Sequence, residues 1–324
     1  MSELSFKMPA SFYLRRVRLM DFSPVLLLGA MAILLWITVP QIFSVGGLRT
    51  FAVNAGPVLM LVLAGTFPIL MGGIDLSVAA MASFAGVLIA LLSPALGAMT
   101  IPAILVISAV IGAVHGGLRV YLQLPSFISS LGILGLLSGS ALVWSGATAL
   151  PIDSGVPFLK ELGGTSLGVP NSVLVIAASA LLLVVVLRMT ILGRNIYAIG
   201  SNERATLMSG VNVTLTYTIT YAISALYAAL AGCMLVSQTF YSAPGFATNL
   251  LLPAIVGVVI GGTAITGGVG GVWQSIVGGI VATLFQTGAI VLGFPPAVQN
   301  MAFGLVVIAA VAVSIDRSKL GVVK

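Results

Sequence analysis

Few side chains in this sequence could carry chemistry, and they are scattered. Asp75 in GGIDLS and His115 in GAVHGG are the ionisable groups set in apolar runs, where such groups bind or relay ions. Asp75 equally suits a capping role, because Asp75 or Ser77 would accept backbone N–H groups where a helix starts after Gly72–Gly73. His115, beside Gly112, Gly116 and Gly117, is expected to bond a carbonyl of a neighbouring helix. A phosphate-cradling loop needs Gly before Lys. The four lysines follow Phe6, Leu159, Ser318 and Val323, so nucleotide hydrolysis by that route is excluded. No Cys/His/Glu cluster has metal-ligand spacing, and no acid–base pair supports catalysis. The one cysteine, Cys233, excludes an internal disulfide. The expectation is a chain without catalytic residues, metal or cofactor.

The elements that position these residues are read from hydropathy. Of 324 residues 59% are apolar and 6% charged, against about 25% charged in ordinary soluble domains. Mean hydropathy is +1.21. The net charge of +6 is dispersed between apolar runs instead of clustered on one face, which argues against nucleic-acid binding. Runs of about 20 apolar residues predict an all-α polytopic membrane protein with spans at 22–40, 50–71, 77–93, 99–118, 127–146, 171–190, 217–238, 250–266, 272–292 and 298–315. The first is read as a retained helix and not a signal peptide, because it is long, holds Pro24 and Trp36, and lacks a small-x-small site before Gln41.

Charge placement supports that topology. With the N-terminus inside, Lys7, Arg15, Arg16, Arg18, Arg119, Arg188, Arg194, Arg204, Arg317, Lys319 and Lys324 are cytoplasmic, while Arg49 and Lys160 are outside. The expected organisation is a cytoplasmic segment 1–21, one membrane domain 22–315 and a cytoplasmic tail 316–324. Within the domain, the inner loop 191–216 has helical character over Asn202–Ser209, with Ser201 or Asn202 as cap and Gly210 as stop. It suits a docking surface for a soluble partner or a solvated connection. The glycine pairs Gly72–Gly73, Gly116–Gly117, Gly261–Gly262 and Gly267–Gly268 permit close helix approach and unwound segments, and the first and third hint at duplicated halves.

Three stretches resemble the ribose-type permeases of bacterial ABC importers. They are GGIDLSVAAMAS from Gly72, GRNIYAIGSNERATLMSGV from Gly193, and VVIGGTAITGGVGGVWQSIVGG from Val258. Ala79, Thr206 and Ala264 depart from that family's usual Gly, Ala and Ser. Gln286–Thr287 stands where ribose-type members carry paired Asn, which leaves the sugar open. The resemblance implies a multi-pass inner-membrane subunit working as a homodimer or a paralogous heterodimer. A separate ATPase would sit inside and a periplasmic or lipid-anchored binding protein outside, with a pentose, hexose, polyol or furanose-like cargo.

On that reading, Arg194, Asn202, Glu203, Arg204, Ala205, Leu207 and Gly210 form the ATPase-coupling segment. Asn54, Phe285, Gln286, Thr287 and Asn300 are candidates for the substrate path, although amides in membrane helices also serve helix–helix bonding. Tyr217, Tyr221 and Tyr227 suit interfacial anchoring or packing, and Asp153, Lys160 and Glu161 suit binding-protein contact or simple solvation. The competing readings are a branched-chain amino-acid permease of the same superfamily and an ion-coupled carrier that needs no partner.

Overall fold

The computed structural model describes residues 23–152 and 156–314, with side chains through 309. The expected terminal segments 1–21 and 316–324, with their basic residues, and Asp153 lie outside the described residues. The helices are α1 (Ser23–Thr38), α2 (Val45–Leu70), α3 (Val78–Leu96), α4 (Thr100–Tyr121), α5 (Ser126–Ser145), α6 (Pro157–Leu162), α7 (Asn171–Met189), α8 (Ile191–Ser201), α9 (Glu203–Met208), α10 (Val213–Thr239), α11 (Leu251–Ile260), α12 (Val272–Val291) and α13 (Pro296–Ser314). Two short strand pairs accompany them: β1 (Leu150–Pro151) with β4 (Tyr241–Ser242), and β2 (Thr165–Ser166) with β3 (Val169–Pro170).

The protein is all-α in substance, and among the described residues six helical stretches are long and apolar enough to cross a membrane. One is the 44-residue run Val78–Tyr121, which turns back on itself. Gly97 takes a positive φ of 49° at the α3–α4 junction. On one side of it Ser224 of α10 reaches Asp75 and Gly232 abuts Ala82, so α3 runs parallel to α10. On the other side Gly112 faces Tyr221 and Gly116 faces Tyr217, so α4 runs antiparallel. The predicted span 250–266 is corrected: α11 has ten residues, about 15 Å at 1.5 Å per residue, half of a ~30 Å hydrocarbon core. Gly261 and Gly262 end it, and 261–271 is irregular. The chain before it turns into the bundle. Ser242 is buried, Phe246 fills the space left by Gly86, and the Ala247 amide donates to Ser83 Oγ at 3.1 Å.

Helix α10 is the hub, packed by α4, α2 and α3. Lipid is as apolar as a leucine, so association of membrane helices rests on close van der Waals packing rather than on exclusion of water. Gly112 and Gly116, four residues apart, supply that closeness. A Cβ on either would collide with the carbonyl oxygen of Tyr221 or Tyr217, whereas one on Gly117 would lie 3.7 Å from Thr218 Oγ1. Helix α2 is buried almost throughout from Ala55 to Leu70, while Val106, Val143 and Leu181 of α4, α5 and α7 face outward.

Replacing Gly116 with Val should lower the thermal midpoint of the detergent-solubilised protein by an amount equivalent to about 1–3 kcal/mol of overpacking. Gly117→Ala should leave it unchanged within the error of a differential scanning fluorimetry measurement.

Candidate functional site: two helix breaks and the connector that bridges them

Helices α2 and α11 end in the same way. After α2, the Gly72 amide donates to Ile69 O (2.9 Å) and the Gly73 amide to Pro68 O (2.9 Å); after α11, the Gly262 amide donates to Val259 O (2.9 Å) and the Thr263 amide to Val258 O (3.2 Å). Both are Schellman turns with the left-handed residue first past the cap, Gly72 at φ +73° and Gly262 at φ +96°. In this geometry Gly72 corresponds to Gly262, so the two glycine pairs are out of register by one residue. Matching pair to pair in sequence hides the equivalence.

The two breaks meet. The Gly268 amide donates to the carbonyl of Leu70 at 2.8 Å, and a Cβ on Gly267 would come within 2.6 Å of the Gly72 amide nitrogen and 2.9 Å of Gly200 Cα. Gly200, near the end of α8, is pressed against both breaks, where an added Cβ would meet both Leu70 O and the Gly268 amide nitrogen. Tyr197 of α8 adds a hydrogen bond from its hydroxyl to Gly270 O at 2.8 Å. Burial raises the pKa of that phenol, against the opposing pull of Arg188, so it stays a donor. Gly261 leaves room for the Gln274 carbonyl, and Thr263 Oγ1 lies 3.0 Å from Ser275 Oγ and accepts from the Gly271 amide at 3.2 Å.

Asp75 lies in the first break and is 6% exposed. Its Oδ1 accepts the Ser77 amide at 2.9 Å and the Ser77 hydroxyl at 2.5 Å, and its Oδ2 accepts Ser224 Oγ of α10 at 3.4 Å. The carboxylate thus nucleates the turn into α3 and ties it to the hub, while Ser77 acts as a donor and not as a capping acceptor. His115 departs from expectation: its Nε2 lies 3.3 Å from the Ser129 hydroxyl, not a carbonyl, and its ring stands edge-on to Tyr221 at 4.5 Å. Tyr217, Tyr221 and Tyr227 are all buried, which places them in packing and not at an interface.

The connector between α7 and α10 is two helices. Helix α9 begins at Asn202, whose Oδ1 accepts the Ala205 amide at 3.0 Å, and stops before Gly210 at φ +82°. Arg194, Arg204, Ala205 and Leu207 are exposed, as is Met208 at 90%, which sequence reasoning omitted. Glu203 is exposed as well, and its Oε2 accepts from Tyr217 OH at 3.1 Å. Helix α8 was not anticipated, although Ile196 and Ile199 form its buried side and the Thr190 hydroxyl accepts the Gly193 amide at 3.3 Å to cap it.

The remaining polar candidates lie at the other end of the helices and do not form one cluster. Asn54 is exposed on the rim of a cleft of about 420 Å³ walled by α2, α7, α10 and the residues after α6. Gln238 donates from Nε2 to Val53 O at 3.0 Å there, and Ser172, 5% exposed, has an Oγ without a hydrogen-bond partner. Neither residue had been singled out in the sequence. Phe285 packs edge-on against Phe303 at 5.1 Å and faces apolar clefts beside α1 and α13. Gln286, Thr287 and Asn300 are half-buried.

Residues 47–311 match the family described as branched-chain amino acid transport system / permease component. The chain belongs to that permease family. It is 34% identical over 193 residues to the probable ABC transporter permease protein YphD of Escherichia coli K12, an alignment that spans 60% of this chain and 58% of that relative. The ribose import permease protein RbsC of the same organism is 31% identical over 281 residues, 85% of this chain and 87% of its own length. The D-allose transport system permease protein AlsC is 32% identical over 256 residues, 78% of this chain and 77% of its own. No solved structure matches. The permease is thus a multi-pass protein of the inner membrane, and its glycine breaks and connector are features of a transport subunit.

If the breaks are held by close backbone approach, Gly267→Ala in this permease should cost more than relief of its positive φ alone, seen as a clear drop in thermal midpoint. Gly293→Ala, at φ +80° with open space around it, isolates the conformational term, about 1 kcal/mol.

Proposed function

We propose that this chain is the membrane subunit of an ATP-driven importer for a neutral monosaccharide or a related polyol, working by alternating access against a second permease subunit. Ten crossings put both termini in the cytoplasm, the eighth made by the re-entering residues 240–250 together with the half-length α11. The cytoplasmic face then holds the α8–α9 connector, where a separate ATPase docks. A binding protein delivers cargo to the opposite face.

The observation that carries this reading is the position of the connector. Its α9 exposes Arg204, Ala205, Leu207 and Met208, an apolar and basic face without a partner in the described chain. Its α8 touches both helix breaks at Gly200. A push on α9 is therefore delivered to the two points where the bundle is unwound. In this reading the chain itself does no chemistry: ATP is hydrolysed by the partner, and Arg194, Asn202 and Gly210 shape and flank the docking face.

Sugar is favoured over a branched-chain amino acid by two supports. The relatives named for ribose and allose cover most of the chain, and the Asn54 cleft has amide, hydroxyl and backbone groups but no charged side chain to meet a zwitterion. Its volume suits a small ligand. Asn54, Ser172 and Gln238 would receive the cargo there, and Gln286, Thr287, Asn300 and Phe285 belong to the path on the α12–α13 side. An ion-coupled carrier is less favoured, since Asp75 is engaged by three hydrogen bonds within its own break and hub.

Leu207→Glu combined with Met208→Glu should reduce co-purification of the cognate ATPase at least about tenfold, the effect of breaking an interface anchor, with membrane insertion intact. Undiminished ATPase binding would remove α9 from this role. Uptake of a ¹⁴C-labelled pentose and hexose panel by cells expressing Asn54→Leu should fall with normal ATPase association, whereas unchanged uptake of every sugar carried by the parent would take Asn54 out of the path.

A further inference from the structure

We propose that Arg119 is a positioning residue that joins helix α9 to the first helix break, so that the position of the docking face is felt at Gly73. The inference rests on the functional reading above and adds a residue to it.

Arg119 stands in the last turn of α4, where a cation suits the helix dipole. Its guanidinium lies over the Tyr217 ring, with Cζ 4.2 Å from the centroid, and 5.8 Å from the centroid of Tyr221. From its edge, Nη1 donates to Tyr221 OH at 3.3 Å. The same Nη1 closes off Gly73, where a Cβ would lie 3.2 Å from it. Tyr217, in turn, donates its hydroxyl to Glu203 of α9. The sequence of contacts is Glu203, Tyr217, Arg119, Gly73, and it runs from the exposed connector to the break in three steps.

Two further observations make this route matter. Among the described residues, Glu203–Tyr217 is the side-chain hydrogen bond that joins α9 to the bundle. Beside α9, a cleft of about 560 Å³ lies between Arg119, Leu124, Glu203, Arg204, Leu207 and Val213, so α9 is not packed solidly onto α4. The break is anchored from the other side as well: the Ile74 amide donates to Ser126 Oγ at 3.2 Å, and Ser130 Oγ donates to Ile74 O at 3.3 Å. Movement of Arg119 therefore bears on a short segment held between α4, α5 and α10. A planar guanidinium can stack face-on against one ring while its edge donates to another phenol, whereas an ammonium has no flat face to stack and no fixed fork to hold that geometry.

The test uses the assembled importer, permease with its ATPase and binding protein, and hydrogen exchange of peptides covering 70–78 and 199–211 with and without ATP plus vanadate. In the parent, nucleotide should change exchange in both peptides. In Tyr217→Phe, which keeps the ring and removes the link to Glu203, and in Arg119→Lys, the change at 70–78 should shrink about threefold or more, on the scale of mutational effects on site-to-site coupling. ATPase association, a nucleotide response at 199–211 and the thermal midpoint should hold. A full nucleotide response at 70–78 in both variants overturns the proposal, as does a parent complex in which 199–211 responds and 70–78 does not. Failure of the parent to retain any ATPase would instead overturn the functional reading, and the proposal with it.

Discussion

The hydrogen bond from the Gly268 amide to the Leu70 carbonyl is the constraint on which the arrangement depends. A helix that ends against packed neighbours leaves carbonyl groups that the surrounding chain must supply with donors. Here the end of α2 is satisfied by the irregular segment that follows α11. That solution demands backbone against backbone, and Gly72, Gly200 and Gly267 are the positions where any side chain would intervene. The two breaks are one structural unit. Neither can shift without moving the other or exposing a buried polar group at a cost of several kcal/mol.

Much of the fold could be read from hydropathy alone, because a membrane imposes a length on each helix and a composition on its surface. The helices from α1 to α5, with α7, α10 and α12, begin and end within a few residues of the predicted spans. The eighth was misjudged because Gly261–Thr266 keeps an apolar composition while losing helical geometry; hydropathy measures solvent preference and is blind to φ. Helix α8 was missed for a related reason. It is amphipathic and short, with the buried pair Ile196 and Ile199 on one side and Arg194 on the other, so it carries no membrane-length signal.

The site was legible where local chemistry dictates it. Asn202 as a cap and Gly210 as a stop follow from short-range hydrogen bonding, and Asp75 behaves as a turn-forming acceptor. What could not be read is anything that depends on which helices are neighbours. The bond made by Glu203 requires Tyr217 from another element, the Ser129 partner of His115 comes from α5, and the unpartnered Ser172 gains its meaning from the cleft around it. The one-residue offset between the glycine pairs belongs here too: identical dipeptides suggested the repeat, but the turn geometry equates Gly72 with Gly262.

The half-length α11 has a consequence of its own. The chain re-enters the bundle before it, with Ala247 bonded to Ser83, and the 3₁₀ turn Thr248–Leu250 leads into it, so the Leu251 amide is already satisfied by Thr248 O. Irregular backbone therefore bounds α11 at both ends, with Gly261–Gly262 at the other. Its orientation is set by side-chain packing on α2, α12 and α13, and not by a helix that continues through it.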